Sequence, residues 1–379
     1  MHDAQAHTVC CAKHAAWRTA IETRGPRKRE DYMLNGKRHI GLATLVCVGL
    51  AITIANTPAA AWDRGSVQTF PVPGVPMMEG LTVGRDGNVY TSTFNPTGSA
   101  PSKILTFSSQ GTLLRVKDIQ GSSNAMLGVG FVPGTDALRV IDFGNGNVRR
   151  VDPVTGNSDV CITLDNPPGT PGLNALTFDA KNNTYISDSF LGIIWRLSGS
   201  ACGVAEIWVQ DPLLLPNNGV PGFGANGLGF NKKRDALFVA NTAMDWIVKI
   251  TVKGGNTPNP QPVTTEVFTN SINGADGLIL DSADNLWVAA NQADEIVVVD
   301  PTGKAIAKLG DFNGLQNGVT QGLLFPASPA FSKDGNFLFV TNLELDLRTI
   351  GGPQTVDSQW AAQVTQHSIA RLPAVIPTQ

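Results

Sequence analysis

The sequence predicts an all-β fold, a six-bladed β-propeller with four-stranded blades around a central channel. Three observations predict it. A strand, turn and strand unit recurs six times at a period of about fifty residues, third and fourth strand patterns follow most copies, and the composition suits a turn-rich β chain. Of 379 residues, 40 are Gly and 24 Pro, 42% are hydrophobic and only 16% charged. That mixture supplies a large core and many turns. No charge run or low-complexity linker divides the chain after residue 62, so one domain over 62–379 is expected.

The copies are GLTVGRDGNVYTS (80–92), GVGFVPGTDALRVID (128–142), ALTFDAKNNTYISD (175–188), GLGFNKKRDALFVAN (227–241), GLILDSADNLWVAAN (277–291) and the degenerate SPAFSKDGNFLFVTN (328–342). Each joins two runs rich in β-branched and aromatic residues through a polar turn, the pattern of a hairpin. IIWRLSGSACG (193–203), WIVKITVKGG (246–255) and IVVVDPTGK (296–304) read as third strands, and AEIWVQD (205–211) as a fourth. GSVQTFPV (65–72) and HSIARLP (367–373) are placed to supply strands to one shared blade, which would close the ring and remove its exposed edges.

The first sixty residues read differently. Lys37, Arg38 and His39 precede the apolar run Ile40 to Ala55, and Ala59, Ala60 and Ala61 offer a small-residue cleavage site before Trp62. This is the pattern of a secretory signal over 33–61 starting at Met33, with 1–32 as an upstream extension. The run is shorter than the roughly twenty residues of a spanning helix, so no stable membrane anchor is expected after cleavage, and the protein is expected to be exported, periplasmic or secreted. The chain holds 28 Lys and Arg against 31 Asp and Glu; the first 61 residues carry eight and four of these, leaving 20 against 27. Net negative charge argues against nucleic acid as a partner. Cys161 and Cys202 are the cysteines left after cleavage, either a disulfide or two separate buried thiols.

The residue before each copy is Glu79, Leu127, Asn174, Asn226, Asp276 or Ala327, at spacings of 48, 47, 52, 50 and 51. Equivalent positions of a propeller's inner strands face one another around one axis. Taken singly, an Asn or Asp before a strand is usually a turn or cap residue. Here Glu79, Asn174, Asn226 and Asp276 form an all-oxygen set with two carboxylates, suited to a hard divalent cation: calcium first, another divalent ion as the alternative. Zinc would call for His or Cys, and the one histidine after residue 61 is His367. A second ring at the ends of the second strands is read as Thr93, Asp142, Asp188, Asn241, Asn291 and Asn342, placed to contact substrate, to steady the ligands, or merely to cap turns. The approach loops 72–78, 165–173, 213–225 and 312–326 share that face; Met77, Met78, Leu213, Phe223, Leu315 and Phe325 make it partly apolar.

Gly222, Gly224 and Gly227 match G-x-G-x-x-G, but run from loop into strand rather than from strand into helix. No nucleophile elbow, P-loop, H-E-x-x-H or C-x-x-C occurs after residue 61. Serine-triad and thiol chemistry are therefore not expected.

MMEGLTVGRDGNVYTS, GLNALTFDAKNNTYISDS, ANGLGFNKKRDALFVANT and ADGLILDSADNLWVAANQ resemble the metal-binding repeats of the senescence-marker-protein/gluconolactonase family, related to the diisopropylfluorophosphatases and paraoxonases. The resemblance implies that Glu79, Asn174, Asn226 and Asp276 hold calcium or a similar ion, and that the activity is that of a lactonase or related esterase. The histidine dyad of the paraoxonases has no counterpart here. On this reading Asp276 is the base or nucleophile, with Asp188 and Asp142 in reserve. Asn174, Asn226, Asp188, Asn241 and Asn291 contact a small lactone or ester. The competing expectation is a non-catalytic exported propeller whose calcium stiffens a binding platform. The oligomeric state is left open.

Overall fold

The repeats fold as antiparallel meanders whose strands alternate between two packed faces. In the computed structural model, which describes residues 64–377, Met78–Val83, Val89–Thr93, Lys103–Phe107 and Leu113–Asp118 make one four-stranded sheet. Ala225–Phe230, Ala236–Asn241, Trp246–Lys253 and Gln261–Asn270 make another, as do Ala275–Leu280, Leu286–Ala290, Glu295–Val299 and Ala305–Leu309. The units beginning at Met126–Phe131 and Leu173–Phe178 have the same strand order. Their last strands, Ser158–Leu164 and Gly203–Gln210, pair in parallel and join them into one eight-stranded sheet. A disulfide between Cys161 and Cys202 ties this seam, so the two thiols are paired rather than separate.

The remaining sheet is assembled from both ends of the described chain. Pro326–Phe331, Phe337–Asn342 and His367–Pro373 are completed by Gln68–Val72, with Gln68 opposite Arg371 and Val72 opposite His367. The terminal strands thus share a sheet, as their sequences suggested. The first strand of each unit touches the first strand of the next, and Pro326–Phe331 touches Met78–Val83. These all-β, four-stranded units are consistent with a propeller. Among the described residues, no helix is long and apolar enough to cross a membrane. The extension assigned to 1–32 and the signal assigned to 33–61 lie outside the described residues.

Apolar faces of neighbouring sheets form the core. Tyr185, Ile194 and Trp208 of one sheet pack on Leu228, Phe230 and Val239 of the next. At the end of the first hairpin away from the candidate ligands, an Asp holds the turn. Asp179 accepts from the backbone N–H of Lys181 and Asn183 and from Tyr185 Oη, and Asp281 does the same for Ala283, Asn285 and Trp287 Nε1. The polar turns of the repeat are therefore local hydrogen-bond clips. At the opposite end, the inner strands crowd together. A Cβ on Gly80 would lie 2.2 Å from Leu127 O, and one on Gly227 2.5 Å from Asp276 O. Only glycine permits that approach.

Candidate functional site

Every inner strand opens with a bulge. Ala275 opposes Ala290 and Leu278 opposes Val288, so three steps on one strand match two on its partner. The same shift falls at Met78/Leu81, Met126/Val129, Leu173/Leu176, Ala225/Leu228 and Pro326/Pro329. A bulge breaks the alternation of side chains and re-aims the residue within it. That residue is Glu79, Leu127, Asn174, Asn226, Asp276 or Ala327, the six positions singled out by the repeat. Glu79, Leu127, Asn174, Asn226 and Asp276 line one cavity that opens to solvent.

The four candidate donors are buried, at 5%, 4%, 5% and 4% exposure for Glu79, Asn174, Asn226 and Asp276. Yet Glu79 Oε2, Asn174 Oδ1 and Asp276 Oδ1 have no hydrogen-bond partner, and neither does Asn291 Oδ1 beside them. Buried polar oxygens without partners are rare and costly. Three or four in one cavity are what an oxygen-coordinated cation would satisfy.

The rest of each side chain is fixed by a relay running from sheet to sheet. Asn174 Nδ2 donates to Ser189 Oγ at 3.1 Å, and Ser189 Oγ donates to Ala225 O at 2.6 Å, just before Asn226. Asn226 Nδ2 donates to Thr242 Oγ1 at 3.0 Å, and Thr242 Oγ1 donates to Ala275 O at 2.8 Å, just before Asp276. Asn291 Nδ2 donates to Asp276 Oδ2 at 3.1 Å. The Nδ2 groups of Asn174 and Asn226, expected to meet substrate, each commit a proton to this relay, which turns Asn174 Oδ1 into the cavity. Thr242→Val keeps the shape and removes the relay hydroxyl. It is expected to weaken cation affinity roughly tenfold, read by calorimetric titration of the chelator-treated protein, and to lower fold stability by about 1–3 kcal/mol because Asn226 Nδ2 and Ala275 O lose their partner.

Burial pushes the Glu79 carboxyl well above the ordinary carboxylate range, and the Asp276 charge adds to the shift. Burial likewise pushes Asp276 up to about 7, against hydrogen bonds from Asn291 and Asn226 that pull it down. Two crowded carboxylates without a counter-ion hold protons more tightly, and a cation between them reverses that. The residues present therefore fit a hard divalent ion by donor chemistry and by their unpartnered oxygens.

The second ring needs correcting. Strand register makes its members Thr93, Asp142, Asp188, Asn241, Ala290 and Asn342, opposite the first residue of each inner strand. Asn291 lies one residue further on, in the phase of Phe94, Phe143, Ser189, Thr242 and Leu343. That one-residue step separates turn-holders from cavity residues. Asp188 Oδ1 accepts from the N–H groups of Gly172, Phe190 and Leu191, and its Oδ2 accepts from Trp195 Nε1. Asn241 Nδ2 donates to Leu213 O and Leu215 O. Asp142 accepts from the N–H groups of Ser123 and Asn145 and lies 3.6 Å from Arg149. All three are fully buried and do not line the cavity. Asp188 and Asn241 are therefore not at hand for substrate, nor are Asp188 and Asp142 as reserve bases.

Sequence reasoning missed Ser189 and Thr242, which stand 15 and 16 residues after Asn174 and Asn226, as Asn291 stands 15 after Asp276. It also missed Leu343, Leu345 and Ile350, which line the cavity from a tail that carries no repeat. That segment is clasped by Glu344, in the left-handed region at φ 53. Its Oε1 accepts from Thr320 Oγ1 and Ser368 Oγ, while Oε2 pairs with His367 Nδ1 at 2.7 Å.

Residues 222–342 match the family model described as the SMP-30/Gluconolactonase/LRE-like region. A lactonase of Staphylococcus aureus, drp35, is 26% identical over 174 residues, 45% of this chain and 51% of that protein. The chain thus matches about half the length of this curated relative. Among solved structures, the calcium-binding protein regucalcin of Agrobacterium tumefaciens has a TM-score of 0.56 at 15% identity, covering 79% of this chain and 90% of that one. A gluconolactonase of Xanthomonas campestris has a TM-score of 0.55 at 13% identity, covering 82% and 91%. At such identities the likeness is one of fold. The family resemblance read from the repeats is borne out by the matched segment and the lactonase relative.

Proposed function

We propose that this chain, similar to the SMP-30/gluconolactonase-like family in sequence and to its solved structures in fold, is a six-bladed propeller hydrolase of lactones or related esters, working with a divalent cation, calcium first. The observation that carries this is the set of unpartnered buried oxygens of Glu79, Asn174 and Asp276 around an open cavity. Asn226 completes the donor set. The names of the relatives, a lactonase, a gluconolactonase and a calcium-binding protein, point the same way. An ion that only stiffened the fold would not need a cavity beside it, so the scaffold reading is not favoured.

When bound, a hard divalent cation polarises a carbonyl and stabilises the charge developing on its oxygen. Asn291 holds Asp276 Oδ2, which leaves Oδ1 facing the cavity. Asp276 accepts a proton from water as its oxygen bonds to the carbonyl carbon. The acyl C–O bond breaks, and the proton passes to the departing oxygen, giving a hydroxy acid from a lactone or an acid and an alcohol from an ester. Asn291 Oδ1, also unpartnered, packs against Gly274, so Asn291 serves the reaction through its hold on Asp276.

Export belongs to the same proposal, since the Cys161–Cys202 disulfide suits an oxidising compartment. A mature protein beginning at Trp62 would support it, and a retained residue 1 would not. The activity is tested by a panel of lactones and carboxylic esters assayed with calcium and with chelator. Calcium-dependent turnover of at least one member is expected; calcium-dependent thermal stability with no turnover would overturn the hydrolase reading.

A further inference from the structure

The walls above the cation site are as one-sided as its floor. In the three repeat units that carry Asn174, Asn226 and Asp276, the residue after the second-strand end is polar: Ser189, Thr242 or Asn291. In the other three units it is Phe94, Phe143 or Leu343. From Phe94 a chain of ring contacts runs round the mouth. The centroids of Phe94 and Phe143 are 6.4 Å apart, those of Phe143 and Phe190 5.9 Å, and those of Phe190 and Phe223 5.5 Å. Phe94 and Phe223 line the cavity, while Phe190 stands at the rim with 39% of its surface exposed. Phe325, Leu343, Leu345 and Ile350 complete the apolar lining.

Among the described residues, the charged groups lining this cavity are Glu79 and Asp276, both assigned to the cation; no Lys, Arg or His joins them. The Thr242 hydroxyl is committed to the relay. Apart from the floor donors assigned to the cation and the Asn291 amide, the wall has no side chain to pair with the several hydroxyls of a sugar ring or with an anionic group, and a buried polar group left unpaired is penalised. An apolar group placed there is released from water and meets aromatic faces and edges.

We infer that the substrate is an uncharged ester or lactone bearing an aryl or long alkyl group, seated against Phe94 and Phe223, and that polyhydroxylated sugar lactones are selected against. This assignment rests on the hydrolase reading for its reaction, but its apolar recognition can be measured separately. Lactams serve as unreactive isosteres of the two lactone classes.

The experiment titrates the calcium-loaded protein with a benzo-fused δ-lactam and with a polyhydroxylated glucono-δ-lactam by calorimetry, and assays the corresponding lactones alongside. The benzo-fused lactam is expected to bind roughly a hundredfold more tightly, since an apolar pocket rejects even one added hydroxyl by about that factor. Phe223→Ala is expected to weaken that binding about tenfold, and Phe223→Leu to restore most of it, with calcium affinity unchanged in both; the melting temperature of the Ala variant falls somewhat with its ring contacts to Phe143 and Phe190. Equal or tighter binding of the polyhydroxylated lactam overturns the inference, as does failure of both lactams to bind or indifference to Phe223→Ala. Binding with the expected preference but no turnover of any lactone would uphold the apolar wall and sink the hydrolase reading. Faster turnover of the polyhydroxylated lactone would do the reverse.

Discussion

Asp276→Asn is expected to lower kcat/KM for the best substrate roughly a thousandfold, the scale of losing a group that acts on the developing charge and the proton together. The substitution is nearly isosteric, and Asn291 can still meet the new side chain. On the proposed mechanism it removes a negative charge that would help hold the cation and the lone pair that would take a proton from water. The amide that replaces the carboxylate keeps a carbonyl oxygen for the ion, so calcium affinity should fall less than turnover does. Measuring both separates the roles. Full turnover with calcium bound would show that Asp276 is not the base. Asp188→Asn, by contrast, is expected to act on stability, because Asp188 holds the turn at Phe190 and Leu191 and the Trp195 indole.

The second large effect is a reversal of pH dependence by calcium. In the metal-free protein Asp276 ionises at about 7, and Glu79 is also raised; in the unfolded chain both ionise near 4. Between roughly pH 4 and 7 the folded form therefore holds protons that the unfolded chain has released. Stability from this pair is greatest below pH 4 and is lost as pH rises through 7. Calcium binds the ionised pair, so the stabilisation it gives should grow across the same window. With calcium a thousandfold above its Kd the gain is about 4 kcal/mol, or about 6 °C for a folded unit of this size. The check is the calcium-induced change in melting temperature at pH 5 and pH 8, repeated on the double variant Glu79→Gln, Asp276→Asn to subtract other titrating groups. A shift of equal size at both pH values would contradict the account.

Much of this was legible because the repeat is strict where geometry is strict. The glycine after Glu79 and Asn226 is required where neighbouring inner strands nearly touch. The Asp and Asn of the turns are required by their hydrogen bonds. The four candidate donors stood out because Leu127 and Ala327, at the same phase, are apolar. The second ring was misread by one residue at Asn291, since alignment on strand ends cannot see that Ala290 is the residue opposite Ala275. The hydroxyls of Ser189 and Thr242 were missed for a related reason. Ser and Thr at a strand end look like ordinary turn residues until the structure brings each against an Asn amide from the neighbouring strand. The wall formed by Leu343, Leu345 and Ile350 was hidden more completely. Its placement depends on long-range bonds from Glu344 to Thr320, His367 and Ser368, which no local pattern announces.

The central claim is that Glu79, Asn174, Asn226 and Asp276 together hold one divalent cation at the floor of the apolar cavity. Diffraction from calcium-soaked crystals, with the anomalous signal of calcium recorded, tests it most directly. The expected result is a single peak within roughly 2.3–2.6 Å of oxygens from all four side chains, the usual span of calcium to oxygen distances, with a further position open toward Phe94 and Phe223. Absence of that peak at saturating calcium, or a peak held by other residues while these four stay empty, would contradict it.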